Sequence, residues 1–172
     1  MRLLYLTGIL ILGLTACVAP PATSIPSDGP VIKIADFDVI AGDEWTGTLT
    51  YLDYSANKRV TIPTAASVRI TSPTQLRYSV SYPKEPWEDT KAALKISKSG
   101  RVLDGHPVTY RETQADGSLK IRTAHQGTDN NKPAHIRMSY TLSASKFTIS
   151  KDVRMKDDTD FTNRNIYAFT RP

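Results

Sequence analysis

From Trp45 to the end of the chain, apolar and polar residues change places at almost every step. In WTGTLTYLDY, Trp45, Gly47, Leu49 and Tyr51 fall on one side while Thr46, Thr48 and Thr50 fall on the other. That is the period of a half-buried β-strand. The same alternation returns in Val60 and Ile62, in Val68 and Ile70, and in Leu76, Tyr78, Val80 and Tyr82. It continues through Leu94 and Ile96, Val108 and Tyr110, Leu119 and Ile121, Ile136 to Leu142, and Phe147, Ile149 and Val153. The runs predict about eight to ten strands. Turn signals separate them at Ser55–Lys58, Lys98–Gly100, Ala115–Ser118, Gly127–Pro133 and Ser143–Ser145. Asp116-Gly117 is the strongest hairpin signal, because tight two-residue turns need positive φ.

Sequential hairpins without long crossovers predict an all-β, up-and-down antiparallel sheet. A sheet of that size with one apolar face is best protected by closing on itself, so a barrel is expected over a sandwich. Just upstream, PVIKIADFDVIAG carries Ile34, Phe37 and Ile40 at helical spacing. It is either a short helix or an extended lead-in, placed to plug one barrel end.

The N-terminus follows different rules. After Met1-Arg2 comes the apolar stretch LLYLTGILILGLTA, ending at the single cysteine, Cys17. As a helix this stretch would span only about 21 Å against a hydrocarbon core of about 30 Å, which suits a secretory signal better than a membrane span. No second cysteine offers a disulfide. Residues 18–30, VAPPATSIPSDGP, hold four prolines among small polar residues and read as an extended tether. The expected organisation is a signal at 1–16, a tether at 17–30 and one β-barrel domain at 31–172.

Leu14-Thr15-Ala16-Cys17 resembles the lipobox of bacterial lipoproteins. The resemblance implies cleavage before Cys17 and attachment of acyl chains to it, so that the membrane is one partner. Two or three chains on one residue anchor durably where one alone does not. Val18 stands where that family commonly has Asp for inner-membrane retention, which implies the outer membrane of a two-membrane bacterial envelope.

AGDEWTGTLTY resembles the opening strand of calycin barrels, the group that includes lipocalins, with Gly42 and Trp45 as its signature. In those families a last-strand cation packs over the Trp. In NIYAFTRP the residue that implies this role is Arg171, with Arg164 as second candidate. Two residues separate Gly42 from Trp45 where lipocalins usually have one, and the other lipocalin blocks are absent.

The chain carries 22 Lys and Arg against 17 Asp and Glu, a net charge of +5. The excess is spread along the strands: Arg69, Arg77, Arg122, Arg137 and Arg154 each sit between apolar neighbours and are expected on the solvent face. This pattern predicts a solvated exterior that touches anionic head groups, not a dedicated polyanion site, and no nucleic-acid partner.

Candidate chemistry is sparse. His106, His125 and His135 share no metal-ligand spacing, and only His125 falls in the inward phase of its strand. Nitrobindin-like barrels bind haem through a histidine, yet the final strands here contain none. An EF-hand counted from Asp158 puts Asn163 at the glycine position and Phe169 at the bidentate Glu position, and so fails. No nucleophile elbow, phosphate loop or carboxylate pair appears. No metal, cofactor or enzymatic activity is expected. Trp87, in YPKEPWEDTK, is expected in a rim loop or short helix, packed on the barrel end or closing as a lid.

The functional expectation is an envelope lipoprotein whose lipocalin-like barrel holds a small apolar ligand, with Tyr51, Tyr78, Tyr82, Tyr110, Tyr140 and His125 as cavity candidates. The alternative is a filled barrel that presents its outer surface to an envelope protein partner. The volume enclosed by the barrel decides between them: a continuous cavity of about 300 Å³ or more favours the ligand.

Overall fold

The computed structural model describes residues 28–172. Cys17, the expected signal and most of the expected tether lie outside the described residues. Ten strands follow one another: β1 (Gly42–Asp53), β2 (Lys58–Ser72), β3 (Gln75–Ser81), β4 (Thr90–Lys95), β5 (Val102–Leu103), β6 (His106–Thr113), β7 (Leu119–Asp129), β8 (Lys132–Leu142), β9 (Lys146–Met155) and β10 (Thr162–Thr170). Their order in the sheet is β4-β3-β2-β1-β10-β9-β8-β7-β6-β5, all antiparallel. Every strand lies beside its sequence neighbour and β1 pairs with β10, which makes an up-and-down barrel.

The barrel is nearly closed. Its end strands meet at one bridge, Ile96 to Leu103. Two backbone bonds flank it, from the Ser97 N–H to the Val102 carbonyl at 2.9 Å and from the Asp104 N–H to the Lys95 carbonyl at 2.7 Å. The closing hairpin β5–β6 turns through Asp104 and Gly105, both at positive φ, 51° and 81°. The β6–β7 hairpin is present as expected, but its connection runs from Thr113 to Leu119 and, of Asp116 and Gly117, only Gly117 takes positive φ, at 80°. The runs around Val60 and Val68 form one continuous strand of 15 residues. Pro63 interrupts it only where β3 no longer runs alongside, so one flank of β2 is free there.

Residues 34–40 form a 3₁₀ helix that plugs one end, burying Phe37 and Ile40. The Lys33 N–H donates to Asp36 Oδ2 at 3.0 Å and fixes its first turn. Arg111 on β6 forks onto the same carboxylate, Nε to Oδ2 at 3.0 Å and Nη2 to Oδ1 at 2.6 Å. Trp45, Phe37, Phe147 and Phe169 fill the barrel at this end, with Trp45 edge-on to Phe147 at 4.7 Å between centroids.

A bulge in β6 changes which side chains face inward. Val108 pairs with Thr123, but Tyr110 pairs with Arg122 and Arg111 with Ile121. One extra residue reverses the face of all that follow. Tyr110 therefore leaves the inward phase: Arg122 stacks over its ring at 4.7 Å and its hydroxyl donates to Glu112. The same slip brings Arg111 in line with Ile121, from where it reaches the plug helix. Among the described residues no helix is long and apolar enough to cross a membrane.

Candidate ligand cavity

Between the β2–β4 wall and the β8–β10 wall lies a cavity of about 190 Å³. Phe37 and Ile40 of the plug helix form its floor, and Ala66, Val68, Leu76, Val80, Leu142, Phe147 and Phe169 supply most of its apolar wall. Tyr78, Tyr140, Tyr167, Thr90, Lys151 and Asn165 are the polar residues of its lining. Tyr167 shares a hydrogen bond of 2.7 Å with Tyr82, hydroxyl to hydroxyl. The hydroxyls of Tyr78 and Tyr140 make no hydrogen bond among the described residues. Burial raises the pKa of Tyr78, Tyr140 and Tyr167 above the ordinary phenol value, so each remains a neutral donor.

The expected cavity residues therefore separate. Tyr78 and Tyr140 line it, and Tyr82 supports it through Tyr167. Tyr51 pairs with Asn165 across β1 and β10 but lies beyond the cavity wall. Tyr110 is turned outward by the bulge. His125 stands off the cavity, its ring stacked on His106 with centroids 3.5 Å apart and planes 6° from parallel. Desolvation first, then His106 and Lys151, lowers the His125 pKa below its ordinary value. The His125 Nδ1 and the Thr123 Oγ1 on the same strand are buried without a hydrogen-bond partner.

The barrel base is held by Arg171. Its guanidinium lies 4.4 Å from the centre of the Trp45 ring. It also donates to the carbonyls of Ala144, Ala41 and Val39 at 2.7, 2.8 and 2.9 Å. Gly42, at φ 136°, leaves the room this requires: a Cβ there would lie 2.9 Å from Arg171 Nη1. Arg164 takes another place, stacked 4.3 Å from the Tyr54 ring centre.

The end away from the plug carries a group of charges that the sequence expectations above do not single out. Asp129, only 6% exposed, accepts hydrogen bonds from Lys151 Nζ at 2.6 Å and Tyr54 Oη at 2.5 Å, and Arg164 Nε lies 3.7 Å away. Burial alone would raise the Asp129 pKa, but these three partners hold the carboxyl below its ordinary range. Desolvation and the same carboxylate push the Tyr54 hydroxyl up to about 12. Lys151 thus links the cavity to this polar end.

Trp87 lies in a short 3₁₀ turn, Pro86–Glu88, between β3 and β4. It is 77% exposed, so it neither packs on the barrel end nor covers the cavity. Among the described residues no three His, Cys, Asp or Glu side chains converge on a metal position.

No family model and no curated protein matches this chain. Among solved structures, the crystal structure of Rv2717c from M. tuberculosis is similar, with a TM-score of 0.46 and 8% sequence identity, covering 81% of this chain and 96% of that one.

Proposed function

We propose that this chain is a lipid-anchored protein of the bacterial envelope whose barrel binds one small apolar molecule. The observation that carries this reading is the largely apolar cavity lined by Tyr78 and Tyr140, whose hydroxyls make no hydrogen bond among the described residues. Its volume, about 190 Å³, is below the range of roughly 300–1,000 Å³ typical of drug-sized ligands. An apolar cavity of about 150 Å³ is nevertheless enough to take up benzene. The ligand class is accordingly a single ring or short branched chain with one acceptor for the phenols. The anchor rests on Leu14–Cys17, and the outer membrane on Val18.

The small volume also favours a second reading, a filled barrel that contacts an envelope protein through its exterior. Exposed Trp87 is the type of side chain that dominates such contacts. Native mass spectrometry of the full chain purified from its own envelope separates the two. A reproducible excess mass, released on denaturation, supports the ligand; a clean apo mass in repeated preparations supports the partner. Acyl labelling tests the anchor separately: Cys17→Ser is expected to abolish the label and free the protein from the membrane fraction.

A further inference from the structure

Arg69, Arg77 and Lys91 lie on three successive strands and read singly as solvated strand residues. Pairing brings them together. On the outer face of the barrel Arg69 stands directly opposite Arg77, and Arg77 opposite Ala93. In the next row outward, Ser67 stands opposite Ser79 and Ser79 opposite Lys91. Directly opposed residues on antiparallel strands place their Cβ atoms about 5 Å apart, and like charges in that position repel. Two arginines therefore face each other with a lysine one row away.

These side chains border a trough of about 550 Å³ lined by Ser67, Arg69, Arg77, Tyr78, Ser79, Lys91, Ala92 and Ala93. Its floor is low because serine and alanine occupy the positions between the cations. No carboxylate lines it. Arg69 is steadied from outside by Asp43, Nη2 to Oδ2 at 2.9 Å, whereas Arg77 and Lys91 make no ion pair among the described residues. The Ser67 and Ser79 hydroxyls bond each other at 2.7 Å, which leaves one hydroxyl proton free to be offered to a ligand.

We propose that this trough on β2–β4 binds a phosphate-bearing anion. Guanidinium groups match phosphate oxygens with paired N–H donors, lysine adds a compact charge, and serine hydroxyls donate to the remaining oxygen. An anion between Arg69 and Arg77 also relieves the repulsion that their pairing imposes. The trough lies on the outer face of β2–β4 and shares only Tyr78 with the lining of the interior cavity. Phosphate esters reach it either as free solutes or as head groups of the bilayer.

The test uses the full chain in neutral detergent micelles, titrated with pyrophosphate and, separately, with micelles doped with phosphatidic acid. The guanidinium and ammonium resonances are followed by NMR. Saturable binding is expected, weakened about tenfold by Arg77→Gln and several-fold by Lys91→Gln. Lys98→Gln, which removes the same charge from an exposed loop, is expected to change it by less than about twofold. Stronger binding in doped micelles identifies a head group, and equal or weaker binding there a soluble phosphate. Absence of saturation with both probes, or an equal loss with Lys98→Gln, overturns the proposal in favour of diffuse surface charge. Excess mass from the interior cavity neither supports nor weakens this result.

Discussion

Arg171 closes the barrel over Trp45: its guanidinium sits 4.4 Å from the ring centre while its N–H groups reach carbonyls on both the plug helix segment and the β8–β9 turn. One side chain at the end of the last strand thereby ties the start of the first strand to the element that precedes it. Arg171→Ala removes the cation–π contact and leaves three carbonyls to find water. The expected cost is about 2–3 kcal/mol, read as a lower urea midpoint. Arg171→Lys should recover less than half of it, because an ammonium cannot fork to separated carbonyls.

Much of this arrangement can be read in the residues themselves. Alternation marks the long strands, and Asp116-Gly117 marks a hairpin that is present. Asp104-Gly105 is the same signal in a place where only two strand residues precede it. Short strands have too few positions to show a period, and so the closing hairpin is not visible as a repeat. The β6 bulge is hidden for another reason. Val108 and Tyr110 keep a spacing of two, and only the pairing with β7 reveals that Thr109 and Tyr110 together oppose Arg122.

The polar end did leave a trace. Lys151 occupies the inward phase of β9 between Ile149 and Val153, and Asp129 the inward phase of β7 beyond His125. Opposite charges in the apolar phase of two strands point to a pair inside the barrel. The trough on β2–β4 left none, because Arg69, Arg77 and Lys91 meet only through register.

Gly47 tests how closely β1 and β10 approach. A Cβ at this position would lie 2.0 Å from the Ala168 carbonyl oxygen, and backbone cannot yield as a flexible side chain can. Gly47→Ala is expected to destabilise the barrel by more than about 3 kcal/mol or to prevent folding. Gly117→Ala meets nothing within 4 Å and has only its φ of 80° to oppose it, so about 1 kcal/mol is expected. Similar midpoints for the two variants would contradict the close approach.

Asp129 places one negative charge between two cations, Lys151 and Arg164, that would otherwise face each other inside the polar end. Asp129→Asn keeps the shape but strands Lys151 and Arg164, which are about three-quarters buried. A loss of about 2–3 kcal/mol is expected. Adding Lys151→Met to Asp129→Asn should restore part of it, and a double-mutant cycle measures the coupling. Additive losses would show that the ion pair contributes nothing beyond its separate residues.

The His106–His125 stack gives the barrel a pH dependence whose direction follows from the structure. His125 has a pKa below the ordinary 6.5 because burial, His106 and Lys151 all oppose its charging. In the window below 6.5 the unfolded chain binds more protons at this residue than the folded one, so stability rises with pH across that window and is lost as pH falls. Asp129 does not obscure this between about pH 7 and about pH 5: its carboxyl is lowered from 3.8 on folding, so its contribution is intact above the unfolded carboxylate range and is lost only at lower pH. Urea midpoints are expected to fall from about pH 7 to about pH 5 in the parent chain and to fall less in His125→Asn. Equal slopes would place the origin of any acid sensitivity outside the stacked pair.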